Sequence, residues 1–411
     1  MVKRELYLDK LIKWIDQPVI KIISGVRRSG KSYLLQMLQN VLLERGIKKD
    51  HIIFVNFELL ENDHLRSFEK LHSYIKAMKA DQSETFYVFI DEVQNCIGWE
   101  RAAASLLADG GYDLYLTGSN AQMLSGDLAT HIAGRYIEVE VYPLTFREYR
   151  KFSDVKVSKD RSVEDLFNEY LRYGGFPGLN TVIDDDEARR QYLKGIRNTV
   201  ILKDTIQRHQ IRDVGILERV LLYIFDNVGQ IFSAKKVTDY LKSIGIKASL
   251  EAVTSYIKAL EDSMIIHAAP RYDIKGKRLM QRLEKYFLCD LGLRYADIGF
   301  RNNDISQLLE NVVYMELRSR GYTVYVGKEG TKEVDFIAEL KDRRLYIQVC
   351  YLLASEEVIM REYGSLMSIR DAYPKIVLSM DYLPVGIKDG ILHQYLPDFL
   401  LEKNKMNLFQ P

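Results

Sequence analysis

Features that mark membrane, exported and disulfide-stabilised proteins are scarce in this 411-residue chain. No run of apolar residues approaches the ~20 that a membrane-spanning helix needs. The amino terminus lacks the apolar segment of an export signal. The three cysteines have no CxxC spacing and the seven histidines are dispersed, which argues against a disulfide framework and against a zinc site. We therefore expect a cytoplasmic protein with reduced thiols and no membrane association.

Strong charge of either sign is also missing. The 58 lysines and arginines nearly balance 57 aspartates and glutamates, giving a net charge of +1. This excludes a globally polycationic nucleic-acid binder, so any such surface must be local. With 47% hydrophobic residues the chain can build real cores, and its length favours two or three domains.

The clearest positive signal is a glycine-rich loop between an apolar strand and an amphipathic helix. Residues 19–23 predict a buried parallel strand, and leucines recur at helical spacing from residue 34 to 42. Such a loop directs backbone N–H groups at phosphates, and the helix amino terminus adds positive charge. We predict ATP contacts from Gly25, Val26, Arg27, Arg28, Ser29, Gly30, Lys31, Ser32 and Tyr33. Lys31 would contact the phosphates and Ser32 would ligate Mg²⁺.

A second motif ends in two acids. Residues 86–90 read as a buried strand that leads into Asp91 and Glu92. Asp91 is predicted to hold Mg²⁺ together with Ser32, and Glu92 to act as the base for the attacking water. The alternative is that two acids simply end a buried strand. A further strand, residues 51–57, lies between the two motifs in the sequence, and this pattern is typical of additional-strand ATPases.

Two later segments continue the pattern. Residues 113–117 predict another strand, after which Thr117, Ser119 and Asn120 would lie at the nucleotide edge of the sheet. Ser119 is our candidate sensor of the γ-phosphate; a helix N-cap is the alternative. Arg135 precedes a strand at 137–141 and could reach the nucleotide of a neighbouring subunit. An ordinary surface arginine is the alternative there.

These motifs, with residues 142–149, 174–177 and 285–294, resemble the prokaryotic AAA+ ATP-binding proteins that carry a C-terminal nuclease-like domain. The resemblance implies an α/β fold: a P-loop NTPase (AAA+ type) parallel-sheet core, a helical lid, a winged helix, and a small α/β domain similar to PD-(D/E)XK nucleases. It also implies metal, base, sensor and arginine-finger roles for Asp91, Glu92, Ser119 and Arg135.

The expected domains are the ATPase core at 1–154, the lid at 155–212, the winged helix at 213–300 and the nuclease-like domain at 301–411. In the winged helix, two strands near residues 265–267 and 285–288 are expected to be joined by a basic hairpin. Its cations are Arg271, Lys275, Lys277, Arg278, Arg282 and Lys285. Phosphate contacts from this hairpin to DNA are one hypothesis, and a protein-contact module is the other.

The nuclease-like pattern is incomplete at its third position. Glu310 on a helix and Asp335 on a strand match it, but Gln348 replaces a carboxylate and Cys350 replaces a lysine. A neutral amide weakens a site for a hard divalent cation. We therefore expect little or no cleavage; completion of the site by Gln348 or by Glu339 is the alternative.

The sequence thus predicts a homo-oligomeric protein that hydrolyses ATP with Mg²⁺ and couples turnover to a DNA- or protein-binding C-terminal half. Two other functions remain open at this point. One is an ATP-gated, metal-dependent nuclease. The other is a non-enzymatic, ATP-dependent switch that acts through a protein partner.

Overall fold

A computed structural model describes residues 2–79, 84–119, 132, 134–154, 161–182, 184–280, 283–382 and 386–402. The chain divides into two compact units. The first contains residues 1–141 and 262–264, and the second contains residues 142–261 and 265–411. The finer division of the second unit into lid, winged helix and nuclease-like domain stays a prediction.

The helices are numbered in chain order over the described residues. They are α1 (Glu5–Ile12), α2 (Lys31–Glu44), α3 (Phe68–Met78), α4 (Trp99–Asp109), α5 (Phe146–Asp154), α6 (Val163–Tyr173), α7 (Asp186–Thr199), α8 (Val214–Asp226), α9 (Ala234–Ser243), α10 (Leu250–Asp262), α11 (Leu291–Ile298), α12 (Ile305–Ser319), α13 (Glu356–Met367) and α14 (Leu396–Leu401). A π-helical segment, Val200–Gln207, continues α7.

The strands form three sheets. They are β1 (Ile20–Ser24), β2 (Ile52–Asn56), β3 (Phe86–Asp91), β4 (Tyr112–Thr117), β5 (Tyr136–Glu140), β6 (Ile231–Phe232), β7 (Ile266–Ala269), β8 (Arg271–Asp273), β9 (Arg278–Leu279), β10 (Glu284–Leu288), β11 (Thr323–Glu329), β12 (Lys332–Leu340), β13 (Arg343–Val349), β14 (Lys375–Ser379), β15 (Ile387–Lys388) and β16 (Ile391–Tyr395).

The first unit is built on a five-stranded sheet in the order β2-β3-β4-β1-β5, with every pairing parallel. Its strands are apolar on both faces because helices cover both sides. Val88 and Ile90 pack into one core cluster, whereas Tyr87 and Phe89 pack into the other. This is the predicted α/β core. The strand that separates β1 from β3 in the sheet is β4, however, while β2, which lies between the two motifs in the sequence, forms the sheet edge.

The second unit contains a three-stranded antiparallel sheet, β6-β10-β7, and an eight-stranded sheet, β15-β16-β14-β13-β12-β11-β8-β9. The predicted pairing of the strands near residues 266 and 286 is present as β7 and β10. The sequence suggested that the hairpin between them is a free wing, but the structure shows otherwise. Its strand β8 pairs in parallel with β11, which makes the β8–β9 hairpin the edge of the larger sheet.

Three motifs of the second unit meet around one buried carboxyl group. Asp290 accepts hydrogen bonds from the backbone N–H groups of Gly175 (2.6 Å) and Gly292 (2.8 Å). The Gly175 carbonyl in turn accepts from the Leu144 N–H at 2.7 Å. A Cβ at Gly175 would lie 2.3 Å from the Leu144 carbonyl oxygen, so a side chain there would force the segments apart. The conformation of the 174–177 turn therefore depends on glycine.

Two absences agree with the composition. Cys96, Cys289 and Cys350 are buried and form no disulfide. None of the helices in the described ranges combines the length and apolar character that crossing a lipid bilayer requires.

Candidate nucleotide site and a second acidic cluster

The glycine-rich loop connects the end of β1 at Ser24 to the start of α2 at Lys31. Gly30 has φ of 99° and Arg28 has φ of 67°, so the loop turns through left-handed backbone. At Gly25, a Cβ would lie 2.1 Å from the carbonyl oxygen of Val141. The loop therefore packs against the chain that follows β5, and only glycine fits at its first position.

Lys31 is buried, and its ammonium folds back over its own loop. Its Nζ donates to the carbonyl oxygens of Gly25 at 2.9 Å and Val26 at 3.2 Å. It also lies 3.9 Å from Oε1 of Glu92. A lysine that donates to neutral carbonyls can exchange them for phosphate oxygens, which are stronger acceptors.

Asp91 lies at the carboxyl end of β3 and is fully buried. Its Oδ1 accepts from the Thr117 hydroxyl, and Ser32 of the loop also hydrogen bonds to the carboxyl group. Burial raises the pKa of Asp91 and the Glu92 charge adds to this, whereas Thr117, Ser32 and Lys31 lower it.

The second oxygen of Asp91, Oδ2, is buried and has no hydrogen-bond partner among the residues that the structure describes. A buried carboxylate oxygen without a donor is costly unless a ligand satisfies it. This oxygen and the adjacent Ser32 hydroxyl are the hard oxygen donors that Mg²⁺ takes in triphosphate sites. The residues present therefore fit that metal ion.

Glu92 follows directly in a left-handed conformation, with φ of 55° and ψ of 49°. This strained backbone is supported by a hydrogen bond from its N–H to the Thr117 hydroxyl at 2.9 Å. Its carboxylate is held by Arg27 (3.4 Å) and Gln94 (2.5 Å), and the Ser119 hydroxyl lies 3.5 Å away. These three polar neighbours fix the position of the Glu92 carboxylate.

The structure therefore brings together the predicted residues Lys31, Ser32, Asp91, Glu92 and Ser119. Two distant segments of sequence converge because β1 and β3 both flank β4, so their carboxyl ends open on the same edge of the sheet. The loop's other predicted contacts include buried Val26 and Ser29 and the exposed Tyr33.

Arg135 does not join this group within the chain. It is exposed, and its carbonyl oxygen accepts from the N–H of Ile20 at the start of β1. The loop follows the other end of β1, roughly 17 Å away at ~3.3 Å per residue. Asn120, considered as a sensor alongside Ser119, lies outside the described residues.

Three polar contacts of this site were not predicted from the sequence. Arg4, the residue before α1, is buried and donates from Nη1 to the Ser29 carbonyl at 2.7 Å. This contact stabilises the loop. Arg27 also pairs with Glu58 at 2.7 Å, and Gln94 contacts Glu92 as described. Only Gln94 carries a sequence signal, since it stands two residues after Glu92.

A second acidic cluster lies in the second unit, where the nuclease-like pattern was expected. Glu310 on α12 and Asp335 on β12 face the same ammonium group, that of Lys285 on β10. The expectation that Lys285 belongs to an exposed basic hairpin was wrong, because its side chain is only 5% exposed. Burial by itself lowers the pKa of Lys285, but the carboxylates of Glu310, Asp335 and Glu333 outweigh it and raise the pKa.

The third and fourth positions of that pattern have structural contacts. Oε1 of Gln348 accepts from the N–H of Asp335 and from the Ser365 hydroxyl, both at 3.3 Å. Cys350 packs in an apolar cluster, and burial raises the pKa of its thiol to about 12. Glu339, the other candidate ligand, pairs with Arg344.

The four predicted nucleic-acid contacts lie on the β8–β9 hairpin. Lys275, Lys277 and Arg278 are exposed around its turn, and Arg271 is partly buried within β8. The exposed cations are therefore grouped at the tip of a sheet edge.

Comparison with known proteins gives two family matches. A family described as "AAA domain" matches residues 17–150, and one described as "Domain of unknown function (DUF8612)" matches residues 164–304. An uncharacterized protein of Haemophilus influenzae is 38% identical over 402 residues, which cover 98% of this chain and 99% of the relative. An uncharacterized protein of Methanocaldococcus jannaschii is 32% identical over 349 residues, covering 81% of this chain and 75% of that protein.

Among solved structures, a Walker-type ATPase of Pyrococcus abyssi aligns with a TM-score of 0.50 at 18% identity. The alignment covers 72% of this chain and 95% of that one. At this level of identity the likeness shows a shared fold.

Proposed function

The chain belongs to the same family as an uncharacterized protein of Haemophilus influenzae, and its residues 17–150 match an AAA domain. We propose that it binds and hydrolyses Mg-ATP at the glycine-rich loop. The observation that carries this proposal is the convergence of Ser32 and Lys31 with Asp91 and Glu92, including the unpaired Oδ2 of Asp91. A strand that merely ended in two acids would not need such an arrangement.

Each residue has a role that follows from its present contacts. The loop N–H groups and Lys31 bind the phosphates, Lys31 by leaving the carbonyls of Gly25 and Val26. Ser32 and Asp91 would hold Mg²⁺, which supplies positive charge against the developing phosphate charge. Glu92 orients the attacking water and accepts its proton.

Arg27 and Gln94 need not release Glu92 for it to act as the base. Both donors lie on the same carboxylate oxygen, Oε2, which leaves Oε1 towards Lys31. Ser119, within 3.5 Å of Oε2, is positioned to report the γ-phosphate to Glu92.

Two variants test this function. Lys31→Ala should lower ATP affinity and turnover by at least about 100-fold, since it removes the ammonium charge that contacts the phosphates. Glu92→Gln should keep ATP binding but stop phosphate release. Equilibrium binding of a fluorescent ATP analogue and steady-state phosphate release separate the two effects.

Wild-type turnover in Glu92→Gln would remove Glu92 as the base. Absence of turnover in the wild-type protein, with tight ATP binding and a nucleotide-dependent change in mass, would instead favour the non-enzymatic switch. Light scattering with and without ATP gives that measurement.

For the oligomer we propose that Arg135 acts on the nucleotide of a neighbouring copy. Its exposure and its position at the opposite end of β1 from the loop are compatible with a role between copies and not within one. Mixing Arg135→Ala chains with Lys31→Ala chains should restore some turnover, because the loop of an Arg135→Ala chain next to the arginine of a Lys31→Ala chain forms a complete site.

We further propose that the second unit, with a lid, a winged helix and a nuclease-like domain, couples turnover to DNA or to a protein partner. The exposed Lys275, Lys277 and Arg278 favour phosphate contacts.

Replacing all three by alanine should weaken DNA binding and reduce its dependence on salt concentration, measured by fluorescence anisotropy. The exposed pair Lys48 and Lys49 is the matched control, and its replacement should change neither. ATP turnover that DNA does not stimulate would favour a protein partner.

A further inference from the structure

The second acidic cluster has the side-chain types of a divalent-cation site but a different cation at its centre. Lys285 Nζ lies 2.9 Å from Oε2 of Glu310, 2.8 Å from Oε1 of Glu333 and 3.9 Å from Oδ1 of Asp335. These carboxylates come from α12 and β12, whereas the lysine comes from β10. Three elements are thus joined through one ammonium group.

We infer that Lys285 takes the place that a divalent metal ion holds in the nuclease pattern, so that this cluster is a permanent, metal-free ion-pair network. The network ties β10 of the three-stranded sheet to the larger sheet. The inference is independent of ATP hydrolysis in the first unit.

The distances do not suit a metal ion in the presence of this lysine. Mg²⁺ requires oxygen atoms at about 2.0–2.1 Å in octahedral geometry, and a second cation among the same oxygens would meet the ammonium charge. Across the described residues, no three His, Cys, Asp or Glu side chains are arranged to hold a metal ion. The residues present therefore do not fit the metal that the nuclease resemblance implies.

Other carboxylate oxygens of the cluster also have contacts within the chain. Oδ2 of Asp335 accepts the N–H of Val349 at 2.8 Å. The nearby buried carboxylate of Glu362 pairs with Arg361 at 2.6 Å. Glu333 is 37% exposed, so water also screens its charge. Lys285, Arg361 and solvent therefore offset part of the negative charge, and burial raises the pKa of both Glu310 and Asp335.

The two departures from the nuclease pattern agree with this arrangement. Gln348 replaces a carboxylate by a neutral group, and its oxygen bridges Asp335 and Ser365. An additional negative charge there would have no cation to pair with. Cys350, in place of a lysine, packs among apolar residues such as Leu366 and Val377. The lysine of this site comes from a different element, β10.

A cation exchange tests the inference. Lys285→Ala should lower the thermal transition midpoint by at least about 5 °C, since it leaves buried carboxylates uncompensated. Millimolar Mn²⁺ should recover at least half of that loss, because the metal can then occupy the cleared position. The matched control is Lys21→Ala, which removes another fully buried lysine, paired with the single carboxylate of Asp113. Its loss should not be recovered by Mn²⁺.

All chains in this experiment carry Asp91→Asn and are free of nucleotide. Binding of Mn²⁺ at the nucleotide site of the first unit then does not change the thermal midpoint. In the Lys285 parent, the chain that carries Asp91→Asn and keeps Lys285, Mn²⁺ should leave the thermal midpoint unchanged. Failure of Mn²⁺ to recover Lys285→Ala would overturn the inference.

A second measurement does not depend on the folding of the lysine variant. Electron paramagnetic resonance of Mn²⁺ added to the Lys285 parent should detect the same amount of bound ion as in its Glu310→Gln derivative. Bound Mn²⁺ that Glu310→Gln removes would show a working metal site and overturn the inference.

Discussion

Each unit of the chain holds a buried lysine near carboxylates, but the two lysines have different partners. Lys31 donates to the carbonyl oxygens of Gly25 and Val26, and its Nζ lies 3.9 Å from Oε1 of Glu92. Lys285 lies within 3 Å of both Glu310 and Glu333. The first ammonium can leave for a phosphate at little cost, whereas the second is already neutralised within the chain.

The carboxylates differ in the same way. Asp91 has one buried oxygen without a donor, while both oxygens of Asp335 face a donor or a cation. A site that takes up an ion keeps a carboxylate oxygen unsatisfied until the ion binds. A cluster with a structural role satisfies its charges in advance. Residue types alone do not distinguish the two cases.

The largest expected effect concerns these two aspartates. Asp91→Asn should lower kcat for ATP by at least about 100-fold and abolish its Mg²⁺ dependence, because the acceptor for the metal's shell is lost. Asp335→Asn should leave kcat within about twofold. Phosphate release measured across a Mg²⁺ titration gives both results. A comparable loss in Asp335→Asn would mean that the second cluster takes part in turnover.

A smaller effect should come from the hydroxyl that orders the acidic pair. Thr117→Val removes the donor to Asp91 and the acceptor for the Glu92 N–H. We expect kcat to fall about 10-fold, as for supporting partners of metal ligands, with KM little changed. Thr117→Ser keeps the hydroxyl and should recover most of the rate. If serine did not recover it, the role of Thr117 would be packing.

The smallest effect extends the comparison to a buried carboxyl group with no cation. Within the part of the chain that the structure describes, Asp290 accepts hydrogen bonds from the N–H groups of Gly175 and Gly292, and burial raises its pKa to about 7. Because the folded-state pKa lies above the unfolded value near 3.8, the folded protein binds the proton more tightly. Its contribution to stability therefore falls as pH rises from about 4 to 7.

Asp290→Asn removes this titration. The difference in thermal midpoint between wild type and variant should favour wild type more at pH 5 than at pH 8, by at least about 2 °C. Calorimetry at the two pH values measures it. An equal difference at both would mean that Asp290 does not change protonation in this range.

The parts of the molecule that the sequence predicted correctly depend on local signals. The strand before Gly25, the helix after Lys31 and the apolar run before Asp91 each show their periodicity within a few residues. Convergence of the two motifs followed from a general property of parallel sheets. The α/β class and the parallel core were predictable for these reasons, but the strand inserted between β1 and β3 is β4 and not the predicted strand at 51–57.

The contacts that were missed join residues far apart in the sequence. Nothing beside Lys285 indicates that Glu310 and Asp335 are its partners, and the hairpin interpretation rested on neighbouring cations that do stay exposed. Arg4, which contacts Ser29, precedes a helix whose sequence shows only ordinary amphipathicity. Long-range pairing of polar groups needs the fold before it can be recognised.

The parallel pairing of β8 with β11 has a consequence for how the chain is made. Arg271 of β8 pairs with Val326 of β11. During synthesis, β8 can therefore form this pairing only after roughly 55 more residues have been added. Until then the nascent segment exposes both an unpaired strand edge and an ammonium group lacking its acids.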